Sequence, residues 1–320
     1  MAECVQADLQ SCGRIKASSS CTVFFMYILP LTLCASALER SRPGAATRNV
    51  RTSKLRNLAA VFVMCVGFSA SAHDTWLASD QRVLSNGAEL NLQMTSGERF
   101  PMLGSVIAPN RIARSACQQG AATFDFKPGR REPKALRLTA TPPEAGAVTC
   151  WVQLAPRTLE LKEAEVAHYL DEVDAPTSVR QAWENAALPR RWVETYTKNA
   201  KVVVPAETAS KGLPSGPPVG LKLELVLRAD LSAGRSVGDF SVQALLDGRP
   251  QAGLSVALTG EGPDKPQRAR TNANGEASFK APGLGRWMLS ATDLRPAEQR
   301  PGEWESQFTT LVFEILSEGR

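Results

Sequence analysis

Alternating polar and apolar positions occupy two separate stretches of this chain, and a helical period lies between them. In the first stretch, Asn86-Gly87 signals a turn, and Glu89 to Met94 (ELNLQM) then alternates as a half-buried strand does. Gly97-Glu98-Arg99-Phe100-Pro101 reads as a loop, and Lys134 to Ala140 and Ala147 to Leu154 as two further strands. In the last of these, Val148, Cys150, Val152 and Leu154 share a face, which predicts Cys150 in the core. The period then changes. Leu159 to Val173 carries apolar residues at 159, 166, 169, 170 and 173, a helical spacing with acidic residues between them. A second helix opens at Asp174-Ala175-Pro176, with Pro in its first turn, and ends before Pro189. Arg190 to Lys201 is ambiguous, and the i, i+4 spacing of Trp192 and Tyr196 favours helix there. Ala206 to Gly220 is dense in Pro, Gly and Ser, a linker or a long loop.

The strand code returns from Leu221, where Leu221, Leu223, Leu225 and Leu227 alternate with Lys222, Glu224, Val226 and Arg228. Strands follow at 240–246, 254–258, 276–280, 286–292 and 308–316, with Asp247-Gly248 and Asn274-Gly275 as hairpin signals and Trp287 and Phe313 as core residues. The predicted class is mainly β. An N-terminal β-rich domain takes residues 73–158, a helical connector 159–205, a Pro/Gly-rich linker 206–219, and an immunoglobulin-like or prealbumin-like β-sandwich 220–317.

Residues 1–72 read as a leader. Ala70-Ser71-Ala72 is an A-x-A cleavage motif preceded by an apolar run, Leu58 to Phe68, and by Arg51, Lys54 and Arg56, the parts of an export signal over 50–72. Cleavage after Ala72 makes His73 the N-terminus and the protein periplasmic or secreted. A second apolar run, Cys21 to Ala37, is broken by Pro30 and is marginal for a membrane span. The expectation is that translation starts near Val50 and that 1–49 is not part of the protein; the alternative is an N-terminal membrane anchor. Nothing after Ala72 is apolar enough to span a membrane. Eight of the 37 basic and three of the 32 acidic residues precede His73, leaving 29 of each beyond it. The formal charge of +5 therefore belongs to the leader and gives no case for a nucleic-acid partner. Five of the seven cysteines also lie in the leader. Cys117 and Cys150 remain, and in an oxidising compartment they predict one disulfide, the alternative being two buried thiols.

Candidate chemistry is sparse. The chain holds two histidines, His73 and His168, and no G-x-S-x-G, G-x-G-x-x-G, P-loop or C-x-x-C motif. A conventional enzyme is not expected. An N-terminal His73 offers an α-amine and an imidazole nitrogen that close a chelate ring on a metal, a donor set suited to Ni(II), Co(II) or Cu(II). Asp74 could add an oxygen and His168 a third nitrogen if its helix packs over the N-terminus. The plainer alternative makes His73 a solvated terminal residue and His168 an exposed helix residue.

Several short segments in order resemble a periplasmic family called NikM-like. They are His73-Asp74-Thr75-Trp76-Leu77, Gly97-Glu98-Arg99-Phe100, Glu194-Thr195-Tyr196-Thr197-Lys198, Asp247-Gly248-Arg249-Pro250 with Ala252-Gly253, and Thr271-Asn272-Ala273-Asn274-Gly275. Gly285-Arg286-Trp287 and Trp304-Glu305-Ser306 before Thr310-Leu311-Val312-Phe313-Glu314 complete the set. The resemblance implies an exported β-rich component of nickel or cobalt uptake, with the family's H-D-x-W-L start falling on His73, Asp74, Trp76 and Leu77. The uptake proteins named for that family carry membrane-spanning segments, which residues 73–320 lack; a soluble binding or delivery component fits better. The expected function is binding of a divalent transition metal, nickel or cobalt by resemblance and copper by ligand chemistry, through His73, Asp74 and His168, with a membrane transporter component as partner. The rival expectation is a cell-envelope module that holds a protein or glycan on its sandwich without a metal.

Overall fold

β-Strands begin at the first described side chains of this computed structural model. It describes residues 73–207, 216–228, 240–262, 265–280 and 283–316. The leader, with its cleavage motif and both apolar runs, lies outside the described residues, as does 208–215 of the Pro/Gly-rich stretch.

The N-terminal strands are β1 (Asp74–Ser79), β2 (Leu90–Gly97), β3 (Ser105–Val106), β4 (Ile112–Gln119), β5 (Ala122–Phe124), β6 (Lys127–Arg131), β7 (Leu136–Ala140), β8 (Val148–Leu154) and β9 (Arg157–Leu161). Two helices follow, α1 (Glu163–Glu172) and α2 (Thr177–Glu184), and then β10 (Trp192–Val204). The remaining strands are β11 (Leu223–Arg228), β12 (Phe240–Leu246), β13 (Arg249–Pro250), β14 (Ser255–Gly260), β15 (Gln267–Arg270), β16 (Glu276–Phe279), β17 (Gly285–Pro296) and β18 (Trp304–Ile315).

These strands make three sheets. The central sheet runs β15-β14-β17-β18-β10-β8-β4-β5, with β9 beside β10. Its strands come from both β-rich regions of the sequence, joined where β10 pairs in parallel with β18, Glu194 opposite Trp304 and Val202 opposite Val312. A five-stranded sheet, β1-β2-β7-β6 with β3, covers part of one face. Its strand β1 packs on β10 and β18, where the Thr310 hydroxyl donates to the Thr75 carbonyl at 2.7 Å. The sheet β11-β12-β13, with β16 on β12, covers the other face and makes a two-sheet sandwich with β14, β17 and β18.

Alternation decides which core each residue joins. Val256 and Leu258 of β14, Leu289 of β17 and Leu311 and Phe313 of β18 meet Leu223, Leu225, Phe240 and Val242 in the sandwich core. Ala200, Val202 and Val204 of β10 enter the N-terminal core with Trp76, Leu92 and Leu138. On the same face, Trp192 of β10 and Trp304 of β18 join a third core beneath α1 and α2, with Tyr169 and Trp183.

Three local expectations need correction. Residues 190–201, where the spacing of Trp192 and Tyr196 favours helix, form β10. In a strand those two residues share a face through period two, and the β-branched Val193, Thr195 and Thr197 of the same segment suit an extended backbone. The first helix starts at Glu163, because Leu159 and Leu161 belong to β9 and pair with β10. Asp247-Gly248 does close a hairpin, both residues at positive φ (50° and 74°), as a type I′ turn requires. Asn274-Gly275 instead carries the chain from β15 in the central sheet to β16 in the covering sheet. A side chain at Gly275 would meet the Ala244 carbonyl at 2.7 Å, so glycine is required there by space as well as by φ.

Candidate functional site

The helices and the N-terminal sheet do not cover their face of the central sheet completely. A cavity of about 350 Å³ remains, lined by Asp74, Trp76, the 97–100 loop, Glu172, Arg268 and the face of β14 and β17. Its floor is open because alternation places Ser255, Ala257 and Thr259 of β14 and Ser290 and Thr292 of β17 there, and these side chains are small. Their neighbours Val256, Leu258 and Leu289 point to the sandwich core and leave no bulk behind. Trp76 and Phe100 meet edge to face in one wall, ring centroids 5.7 Å apart.

Asp74 opens β1 opposite Gly97 and lies in that wall. Burial pushes its carboxyl up to about 6, helped by the negative charge of Glu172. The cations Lys198 and Arg268 and a hydrogen bond with Ser290 act in the opposite direction. Burial lowers the Lys198 ammonium, which Asp74 and Glu172 hold up in turn. Its Nζ donates to the His73 carbonyl, tying the start of β1 to β10. The His73 imidazole extends outward, with Nε2 3.3 Å from Glu98 Oε1. His73 and Glu98 therefore meet at the start of β1, while Asp74 lines the cavity, which His73 does not.

The third predicted ligand does not join them. His168 sits on the exposed side of α1, whose buried side carries Val166, Tyr169 and Leu170, and it does not line the cavity. Among the described residues, no group of three or more His, Cys, Asp or Glu side chains forms a ready-made metal site. Cys117 and Cys150 face each other across β4 and β8, disulfide-bonded within the N-terminal core and away from the cavity.

The helix that carries Glu172 is anchored on a buried carboxylate. Glu194 of β10 is fully buried and accepts hydrogen bonds from the Tyr169 hydroxyl (2.8 Å), the Trp192 indole N–H (2.9 Å) and the Ser306 hydroxyl. Burial raises its carboxyl, and the three donors partly oppose that rise. Trp192 stacks on Trp304 with centroids 4.5 Å apart. Arg180 of α2 fixes the end of α1 by donating to the Leu170 carbonyl and to Asp171, both at 2.7 Å. This arrangement fixes the Glu172–Val173 end of α1, which lines the cavity.

Reading the sequence for metal donors misses Glu98, Glu172, Lys198, Arg268 and Ser290. Part of the signal was present, since the segments 73–77, 97–100 and 194–198 all converge on this region.

Fold and cavity together define a mainly β, sandwich-containing protein with a short helical pair and a charged cavity on one sheet face. The family described as "Domain of unknown function (DUF4198)" matches residues 70–293, and the chain belongs to it. No curated protein matches the chain significantly. Solved structures with some similarity include the D0-D1 domain of intimin, at 11% identity over 75% of this chain and 97% of that one, with a TM-score of 0.18. A segment of Escherichia coli alpha-2-macroglobulin spanning domains MG0-NIE-MG1 has 10% identity over 75% and 97%, again with a TM-score of 0.18. Three N-terminal domains of the bacteriophage RB49 outer capsid protein Hoc have 10% identity over 77% and 100%, with a TM-score of 0.14. No helix among the described residues is long and apolar enough to cross a membrane.

Proposed function

We propose that this protein binds a divalent transition metal ion, nickel or cobalt, at the start of β1, and serves metal uptake or delivery in the periplasm. The observation that carries the reading is the meeting of the His73 imidazole and the Glu98 carboxylate, 3.3 Å apart, at the start of β1. One imidazole nitrogen with neighbouring carboxylates is a donor set that suits nickel, cobalt and copper. Cleavage after Ala72 adds the His73 α-amine, which completes a chelate ring with the imidazole. The NikM-like resemblance favours nickel or cobalt as cargo and a membrane transporter component as recipient. His168 has no part in this reading.

The test is calorimetric titration of nickel into protein that begins at His73, in two buffers of different ionisation enthalpy. Binding through an amine and an imidazole releases protons, so the apparent enthalpy differs between buffers and affinity weakens at lower pH. His73→Ala should lower affinity at least tenfold. Unchanged affinity in that variant, or no binding at all, would refute the reading.

A further inference from the structure

We propose that the cavity binds a free α-amino acid with an apolar side chain, held as its zwitterion. The proposal is independent of the metal reading, since His73 is not among the residues that line the cavity. At about 350 Å³ the cavity falls within the range of roughly 300–1,000 Å³ typical of small-molecule sites. Both signs of charge line it. Asp74, Glu98 and Glu172 contribute carboxylates, and Arg99 and Arg268 contribute guanidinium groups. Asp74 and Glu172 are half-buried, whereas Glu98 and Arg99 are exposed, and Glu98 meets the His73 imidazole. Arg268 is near enough for its charge to act on the Asp74 carboxyl. Yet no ion pair joins the two, and the Arg268 guanidinium has no hydrogen bond among the described residues. Opposite charges thus share one cavity without closing on each other.

That arrangement selects a ligand carrying both signs. A simple anion is repelled by Asp74 and Glu172, and a simple cation by Arg268. An amino acid satisfies both ends. Its ammonium donates to Asp74, whose carboxyl a hydrogen bond with Ser290 already holds, and Glu172 adds negative charge. Its carboxylate takes two parallel hydrogen bonds from the planar guanidinium of Arg268. Trp76, Phe100, Val173, Met288 and Phe308 supply apolar lining for the side chain. Glycine leaves that lining unused.

The experiment titrates L-phenylalanine, L-leucine, L-methionine and glycine into the chain beginning at His73, with no metal added. The tightest binder is then repeated as its N-acetyl derivative, which lacks the ammonium, and as its amide, which lacks the carboxylate. The expected result is that at least one of the three apolar amino acids binds more tightly than glycine, and that losing either charge weakens binding about tenfold or more. Arg268→Gln should bind the amino acid and its amide equally, and Asp74→Asn should bind the amino acid and its N-acetyl derivative equally. Circular dichroism and thermal unfolding serve as folding controls, and Arg268, being exposed, keeps the test decisive if Asp74→Asn fails to fold. No binding at millimolar concentration, derivatives that bind as tightly as the parent, or a preference for the free carboxylate that survives Arg268→Gln would each overturn the proposal. Each of those outcomes leaves the nickel titration of His73 untouched.

Discussion

The two faces of the central sheet are covered in opposite ways. On one, a single four-stranded sheet lays Leu223, Leu225, Phe240 and Val242 against Leu289, Leu311 and Phe313, forming a continuous apolar core. Its one buried charge pair, Lys201 with Glu224 at 2.6 Å among the described residues, is closed off, since Glu224 also accepts the backbone N–H groups of Val219, Gly220 and Leu221. On the other face two separate covers, the N-terminal sheet and the helix pair, meet the same strands. The cavity lies where their coverage is incomplete, and there charges are aimed at space as well as at partners. One set of strands thus carries a closed apolar core on one side and a charged cavity on the other, because period-two alternation lets the two faces carry unrelated sequences.

Variants on each face should separate these roles. The largest stability effect is expected from Phe313→Ala in the closed face. Phe313 is fully buried and meets Phe240 edge on at 6.0 Å, and truncation should cost about 3–5 kcal/mol in urea unfolding. Nickel affinity should stay within twofold, and a tenfold change would break the separation of the faces. Glu194→Ala, under the helix pair, comes next. It leaves the Tyr169, Trp192 and Ser306 donors without their acceptor, at a cost of about 3 kcal/mol. Because α1 carries Glu172, ligand binding should weaken along with stability, which Phe313→Ala does not do. An unfolding free energy equal to that of wild type would show that the helix pair does not depend on this carboxylate.

The third expectation concerns pH in the metal-free protein. Asp74 has its folded value near 6, above its ordinary 3.8, so between those values the folded state holds the proton more tightly. Stability from this group is therefore greatest below about pH 4, falls as pH rises towards 6, and is level above. The total is at most about 3 kcal/mol for a shift of this size. Asp74→Asn should flatten that fall in unfolding measurements between pH 4 and 7. An unaltered pH profile would contradict the placement of Asp74 in a desolvated wall. The smallest stability effect is expected from Ala257→Leu, which adds bulk to the cavity floor. Melting should change by less than about 1.5 kcal/mol, since space is available. A fall in stability beyond about 3 kcal/mol would contradict an open cavity at this floor position.

Much of the strand pattern was legible because alternation in segments such as 240–246 and 136–140 reflects burial against one defined core. β10 was not. Its polar residues Glu194, Asn199 and Lys201 are buried through hydrogen bonds made by distant elements, including Tyr169, Ser306, the Phe308 carbonyl and Glu224, and no local rule reads such partners. The site divides in the same way. His73 and Asp74 stood out because a cleavage motif precedes them. Glu172 and Arg268 are remote in the chain, reach the cavity only through α1 and β15, and have no local feature to mark them. His168 was attractive only as the second of two histidines, and the buried face of α1 turns it to the outside.

The most direct measurement is anomalous diffraction at the nickel absorption edge from crystals of the chain beginning at His73, grown with nickel. One strong peak bonded to the His73 imidazole is expected, with Glu98 oxygens in its coordination sphere. A peak elsewhere on the molecule, or none at full nickel saturation, would contradict it.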